Sequence, residues 1–217
     1  MLSRPSRFRV ALLCSRHAPG LEHLLDDPLR GVLYDLVACV CSERDLPPEA
    51  RPVDETGLPF LSHPVRDFHR SRRAPLRDHA VCALYDRTMV ELLAEVRPDL
   101  VLLDGYRYVV TAPMLEAFPD RILNVHHSDL TQRDDRGRPR YPGLRVVHAA
   151  VLCGETERAA FGPLLVRSVE LLSRGRVQVV GGTAWIDGAP GPLDLTWDGG
   201  LATPRPPRGL ARWALAN

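Results

Sequence analysis

Asn124 and His126 are the residues whose types and spacing point most directly to chemistry. They stand two apart at the end of an apolar run, residues 121–125, that predicts a strand, so both side chains should project to the same side. Ligands bind at the carboxyl ends of strands in open α/β sheets. There an amide can hold a carbonyl oxygen and an imidazole can move a proton. The alternative is that His126 only ends the strand as a structural residue.

The elements that must position this pair form an alternating pattern. Short apolar runs predict strands at residues 8–14, 34–41, 58–61, 100–103 and 121–125. Loops or helical stretches separate these runs, and such alternation is typical of a mostly parallel α/β sheet. We expect a Rossmann-like sheet with helices on both faces and an antiparallel edge.

Helices are predicted from apolar spacing and from capping residues. The clearest lies within residues 76–96. Its apolar face carries Tyr85, Met89, Leu92 and Val96. A second helix should follow Thr111, whose side chain can cap it, and a third should cover residues 145–153. Residues 164–171 and 176–180 are expected to pair as two strands of a hairpin at the sheet edge.

Composition excludes several classes of function. The net charge of +1 on 217 residues gives no global field for nucleic acid or an anionic membrane. All 28 basic residues are arginine, which excludes a lysine Schiff base. The five scattered cysteines predict reduced, buried thiols and no metal site. The first apolar run is too short for a signal peptide or a membrane span, so a cytoplasmic protein is expected.

Four short motifs occur in a fixed order and together resemble a known family. They are Asp104-Gly105-Tyr106, the run 121–128 with its Asn-x-His-x-Ser end, Tyr141-Pro142-Gly143-Leu144, and Gly154-Glu155. Their order and spacing resemble the folate-dependent formyltransferases, most closely glycinamide ribonucleotide formyltransferase, over roughly residues 8–180. The resemblance implies the formyltransferase fold, with a domain at residues 8–182 and short strands and a tail at 183–217.

The resemblance also implies an activity and a co-substrate. Such enzymes transfer a formyl group from 10-formyltetrahydrofolate to an amine, and Asn124 and His126 match the pair that stabilises the tetrahedral oxyanion. The family's catalytic aspartate is matched by Ser173, which cannot act as a carboxylate. Glu170 matches an earlier acid and is expected to contact the folate. Either Glu170 or Asp104 could approach the histidine instead of the missing aspartate. Restoring the acid by Ser173→Asp is expected to discriminate an enzyme from a binding module.

Two loops that contact ligands in the family have counterparts in this sequence. The phosphate-binding turn after the first strand is matched by Ser15, Arg16 and His17, but a proline and missing glycines weaken its amide cradle. A surface turn is the alternative. The loop after the fourth strand is matched to the folate pocket. Its matched residues are Tyr106, Tyr108, Val109 and Val110. The charged insertion at residues 132–140 is either a lid or a tolerated surface loop.

The function expected from the sequence is therefore formyl transfer to glycinamide ribonucleotide or another small amine. The partners are a small-molecule amine and a reduced folate, with no nucleic acid and no membrane. A catalytically impaired ligand-binding homologue and a formyltetrahydrofolate hydrolase are the two alternatives. The oligomeric state stays open, a homodimer being one option.

Overall fold

The computed structural model describes residues 7–50, 53–124, 135–136, 158–180, 183–186 and 189–190. The chain divides into two compact units with the boundary between Leu123 and Asn124. The domain boundary expected from the sequence, between residues 182 and 183, stays a prediction.

A five-stranded sheet forms the centre of the first unit. Its strands are β1 (Phe8–Cys14), β2 (Tyr34–Cys41), β3 (Phe60–Ser62), β4 (Leu100–Leu103) and β5 (Ile122–Asn124). Their order in the sheet is β3-β2-β1-β4-β5. β1 pairs in parallel with β2 and with β4, and β2 pairs in parallel with β3. The predicted mostly parallel α/β fold is confirmed.

Both faces of β1 are covered, which explains why its sequence reads as a continuous apolar run. Successive side chains of a strand point to opposite faces, and every residue from Val10 to Cys14 is buried. β4 is likewise buried along its whole length. A strand of this kind lies in the interior of a parallel sheet.

Five helices occur among the described residues of the first unit. They are α1 (Leu21–Leu25), α2 (Val53–Thr56), α3 (Val65–Ser71), α4 (His79–Val96) and α5 (Ala112–Ala117). The carboxylate of Asp78 caps α4 by accepting hydrogen bonds from the Ala80 and Val81 N–H groups at 3.0 and 3.1 Å. The helix ends at Arg97, whose φ of 42° is left-handed.

The main core lies between the sheet and the helices α4 and α5. Strand residues Ala11, Leu13, Val40, Val101 and Leu103 pack with Tyr85, Met89, Leu93, Met114 and Phe118. Burying each large apolar side chain contributes roughly 1.5–3 kcal/mol to folding. The buried face of α4 differs from the prediction, because Leu93 is fully buried whereas Leu92 and Val96 are only half-buried.

The second unit contains a helix where a strand was predicted. Helix α6 covers Arg158–Ser173, and the strands β6 (Val177–Val180), β7 (Thr183–Ile186) and β8 (Ala189–Pro190) form an antiparallel sheet. The predicted strand at residues 176–180 is confirmed as β6, which pairs with β7. The predicted strand at residues 164–171 is wrong, since this run lies inside α6. The predicted helix at residues 145–153 lies outside the described residues.

Candidate functional site

Ser15 links three loops at the carboxyl edge of the sheet in the first unit. It follows β1 and is fully buried. Its Oγ lies 2.8 Å from the Oγ of Ser42, which follows β2. It also accepts a hydrogen bond at 3.1 Å from the backbone N–H of Arg107, in the loop after β4. The hydroxyl predicted to contact substrate is thus used inside the protein, where it fixes the relative positions of the loops.

Gly105 brings the loop after β4 into backbone contact with the loop after β1. Its φ is +70°, and a Cβ added there would lie 2.4 Å from the carbonyl oxygen of His17. Glycine accepts both the left-handed conformation and this close approach, whereas any other residue would have to displace the neighbouring backbone.

Asp104 ends β4 and caps the turn that leads into α1. Its carboxylate is fully buried and accepts hydrogen bonds from the Gly20 N–H at 3.0 Å to Oδ2 and 3.2 Å to Oδ1. Burial raises the pKa of this carboxyl to about 7, although the Gly20 hydrogen bond opposes the shift. In the structure the Asp104 carboxylate therefore serves as a cap.

Glu49 accepts a hydrogen bond from a second backbone amide in the loop after β1. Its Oε2 accepts a hydrogen bond from the Ala18 N–H at 3.2 Å, and its Oε1 lies 3.5 Å from Nδ1 of His17. The His17 side chain is otherwise 69% exposed. The amides of Ala18 and Gly20 are therefore satisfied by the protein's own carboxylates, Glu49 and Asp104. No motif or spacing in the sequence indicated Glu49, which lies far along the chain in a proline-containing loop.

The loop matched to the folate pocket combines packed aromatic residues with an exposed tip. The rings of Tyr106 and Tyr108 meet edge to face with centroids 6.0 Å apart, and both pack against the main core. The Tyr108 hydroxyl donates to Oε1 of Glu43 at 3.4 Å. Val110 also packs on the core, whereas Val109 is 77% exposed. Val109 is thus the matched residue most accessible to a ligand.

Asp86 holds the far end of this loop and was missed in the sequence. It lies buried on α4, and its Oδ2 accepts hydrogen bonds from the Thr111 N–H at 2.6 Å and the Thr111 hydroxyl at 2.5 Å. Thr111 stands at the N-cap of α5, but its side chain makes no capping hydrogen bond there, in contrast to the prediction. The spacing of Asp86 from Met89 and Leu93 indicates that it lies on the buried face of α4, but nothing local indicates its distant partner Thr111.

The predicted catalytic pair is described only in part. Asn124 ends β5 with an exposed side chain, and β5 is an outer strand of the described sheet. His126 lies outside the described residues. Their joint action at an oxyanion therefore stays a prediction.

Ser173 does not lie in a hairpin, so its match to the family's aspartate is corrected. It is the last residue of α6, and its hydroxyl donates to the Glu170 carbonyl oxygen at 2.8 Å. The Glu170 carboxylate is paired with Arg167 at 2.5 Å and Arg174 at 3.0 Å. Partial burial favours a higher pKa for Glu170, but the two arginines lower the pKa overall. Glu170 is accordingly a weak proton acceptor.

The described parts of the chain contain neither a candidate metal centre nor a membrane-spanning helix. Among those residues, no group of three or more histidine, cysteine and acidic side chains is arranged to hold a metal ion. No described helix is both long enough and apolar enough to cross a membrane.

The sequence matches a family model described as formyl transferase over residues 8–169. A trifunctional purine biosynthetic protein adenosine-3 from Drosophila melanogaster is 31% identical over 160 residues, which are 72% of this chain and 10% of that protein. Two proteins of Escherichia coli K12 are each 28% identical over 69% of this chain. One is a phosphoribosylglycinamide formyltransferase, and the match covers 62% of its length. The other is a formyltetrahydrofolate deformylase, and the match covers 45% of its length. The chain thus spans less than two thirds of the length of these relatives.

A solved structure shares the fold. The crystal structure of glycinamide ribonucleotide transformylase 1 from Symbiobacterium toebii superposes with a TM-score of 0.68 at 20% sequence identity. The match covers 86% of this chain and 97% of that one. At this identity the likeness establishes the fold alone.

Proposed function

Because the chain belongs to the formyl transferase family, to which residues 8–169 match, we propose that it transfers a formyl group from 10-formyltetrahydrofolate to a small amine. That match is the observation that carries the proposal. Glycinamide ribonucleotide is the first acceptor to test, because relatives named for purine biosynthesis and phosphoribosylglycinamide formylation are similar over about 70% of the chain.

The proposed folate-facing segment is the loop from Gly105 to Val110. Asp86 fixes its far end and the hydroxyl of Ser15 fixes its near end. A loop held at both ends offers its backbone groups to a ligand without a large loss of conformational entropy on binding. Val109, at the exposed position, supplies apolar contact area.

The proposed chemistry is an acyl transfer. The amine nitrogen attacks the formyl carbon, the tetrahedral intermediate collapses, and the bond from this carbon to N10 of the folate breaks. N10 leaves with a proton while the amine nitrogen loses one. Asn124 donates a hydrogen bond to the oxyanion, and His126 is its proposed partner. A positioned donor of this kind contributes about 10²–10³ in rate.

Neither Ser173 nor Glu170 is proposed as the group that accepts the proton from the amine. Ser173 has no carboxylate, and Glu170 is held as an anion by two arginines. Proton loss to water or to His126 is compatible with an amine of low basicity.

A turnover screen tests the proposal. The purified chain is mixed with 10-formyltetrahydrofolate and a panel of amines that includes glycinamide ribonucleotide and sugar amines, and tetrahydrofolate release is followed. We expect release that depends on one amine and a kcat about 10²–10³ lower in Asn124→Ala. Gln178→Ala, which removes an exposed amide on β6, is the matched control and should retain full activity.

Hydrolysis of the folate is the second candidate, favoured by the similarity to formyltetrahydrofolate deformylases. Water then replaces the amine, and formate is released at a rate that no amine changes. Folate binding without release of tetrahydrofolate or formate would instead identify a ligand-binding homologue.

A further inference from the structure

The turn between β1 and α1 holds carboxylates where a strand-to-helix turn ordinarily offers free amides. Backbone N–H groups in such turns lie at the ligand edge of a parallel sheet and attract phosphate groups. Here the Ala18 N–H donates to Oε2 of Glu49 at 3.2 Å, and the Gly20 N–H donates to the Asp104 carboxylate at 3.0 Å. Pro19, between them, has no N–H group. Side chains of the protein itself therefore use the donors at both positions.

The turn is also fixed in place beside these carboxylates. Gly105 packs so closely on it that an added Cβ would lie 2.4 Å from the carbonyl oxygen of His17. Ala18 is fully buried, and the side chain of Glu49 is only 20% exposed. Because an N–H group has a single hydrogen, an anion that reached the Ala18 amide would have to displace the Glu49 carboxylate.

The negative charge of Glu49 already affects its surroundings. Burial is the main cause that raises the pKa of Asp104, and the charge of Glu49 raises this pKa further. Glu22 adds an exposed carboxylate in the first turn of α1. A phosphate group brought to the turn would meet the same repulsion as the anionic form of Asp104.

The cleft that meets this turn at Arg16 has nearly balanced charges. Its volume is about 600 Å³, and its lining includes four arginines and three acidic residues. Asp67, one of these acids, accepts hydrogen bonds from Arg44 at 2.5 and 2.9 Å and from Arg70 at 3.1 Å. Charges paired in this way are complementary to a polar ligand of low net charge.

We propose that Glu49 is a specificity-determining residue that excludes phosphorylated amines, so that the acceptor is a phosphate-free amine. The identity of the acceptor rests on the proposed function, whereas the exclusion of anions from the turn does not require turnover. Unfavourable contacts with a rejected ligand determine specificity as much as favourable contacts with the accepted one. Glycinamide ribonucleotide, which carries a phosphate, should therefore be a poorer acceptor than the corresponding glycinamide ribonucleoside.

Titration of the isotope-labelled whole chain with inorganic phosphate tests the exclusion, because the NMR resonance of the Ala18 amide reports binding at the turn. Phosphate should bind there about tenfold more tightly in Glu49→Ala than in the natural chain. Glu49→Gln keeps a hydrogen-bond acceptor but loses the charge, so its gain should be smaller. Glu91→Ala, which removes an exposed carboxylate of α4, is the matched control and should change the affinity less than about twofold.

Two outcomes of this titration would overturn the exclusion. One is that phosphate binds the natural chain and Glu49→Ala equally, or binds neither. The other is that Glu91→Ala gains as much affinity as Glu49→Ala. Thermal unfolding of each variant verifies that it is folded.

Formyl transfer to the ribonucleotide and to the ribonucleoside tests the choice of acceptor. The natural chain should have the higher kcat/KM with the ribonucleoside. In Glu49→Ala the KM for the ribonucleotide should fall about tenfold while the kinetics with the ribonucleoside change less than about twofold, a difference that loss of a merely structural residue would not produce. Preference of the natural chain for the ribonucleotide would overturn the proposal. A chain that gains phosphate binding in Glu49→Ala but formylates no amine would contradict only the proposed function.

Discussion

Asp104 shows how a single buried carboxyl couples the fold to pH. It is fully buried, its pKa is raised to about 7 by burial, and its oxygens cap the turn before α1. In the unfolded chain an aspartate has a pKa of about 4. Between these values the folded protein holds a proton that the unfolded chain has lost, so the free energy of unfolding falls as pH rises from about 4 to about 7.

The first prediction concerns Asp104→Asn. The variant has no titrating group at this position, so its unfolding free energy should not decline between about pH 4 and 7. In the natural chain this decline is at most about 4 kcal/mol. Urea unfolding at closely spaced pH values between 4 and 8 measures both curves. Parallel curves for the natural chain and the variant would contradict the account.

The second prediction concerns Ser173→Asp. Because Ser173 ends α6, a carboxylate there meets the negative end of the helix dipole, at a cost of about 0.3–1 kcal/mol. We expect slightly lower stability and no gain in formyl transfer. Thermal unfolding and the turnover screen check both. A gain of activity in this variant would restore the original match to the family's aspartate.

At the residue scale the sequence located the loops at the carboxyl edge of the sheet but not the hydrogen bonds that shape them. The loop containing Tyr106 and Tyr108 was identified through its family motif. The roles of Glu49 and Asp86 were not, because each depends on hydrogen bonds to residues 31 and 25 positions away. Contacts of this separation leave no local periodicity in a sequence.

At the element scale, the loops after β1 and β4 act as one structure. The Ser15 hydroxyl, the Asp104 carboxylate and the Gly105 backbone all join them. A change in either loop should therefore be transmitted to the other. The conformation of the proposed folate-facing loop therefore depends on contacts with residues outside the loop.

The third prediction compares two glycines with similar backbone angles. Gly105 and Gly57 have φ values of +70° and +67°, but an added Cβ meets the His17 carbonyl only at Gly105. Gly57→Ala should cost about 1–2 kcal/mol from backbone strain. Gly105→Ala should cost a further 1–3 kcal/mol, roughly, from the steric clash. Equal losses in chemical denaturation would show that the loops are not in close contact.

The fourth prediction concerns Asp86→Ala on α4. Loss of the two hydrogen bonds to Thr111 should cost about 1.5–3 kcal/mol and weaken the binding of a reduced folate. Asp78→Ala is the control, since it removes a cap from the same helix without touching the loop. Stability and folate affinity are measured for both. If the two variants lost affinity equally, Asp86 would have no specific role in positioning the loop.

The strands and α4 were predicted from sequence because their patterns are strong, whereas α6 was not. Its run Leu164–Leu171 is apolar enough to suit either a strand or a buried helix. The spacing of Arg167, Glu170 and Arg174, three and four residues apart, favours a helix because it allows the two ion pairs that the structure contains. The family motif directed the interpretation toward a hairpin and outweighed this local signal.

At the scale of the whole molecule, the family match and the shared fold agree, whereas the position expected for the family's acid is wrong because Ser173 ends a helix. The described loops after β1, β2 and β4 surround an edge that suits a ligand. The chain therefore combines the family's fold with polar groups that differ locally from those expected from the family. Its central claim is that this chain moves a formyl group to an amine.

The most direct test of that claim traces the formyl carbon from the folate to its product. The chain is incubated with 10-formyltetrahydrofolate carrying an isotope-labelled formyl group and with each acceptor amine, and the products are resolved by mass spectrometry. We predict a labelled formamide of one acceptor, formed in amounts equal to the tetrahydrofolate released. Label found only in formate, or retained on the folate, would contradict the account.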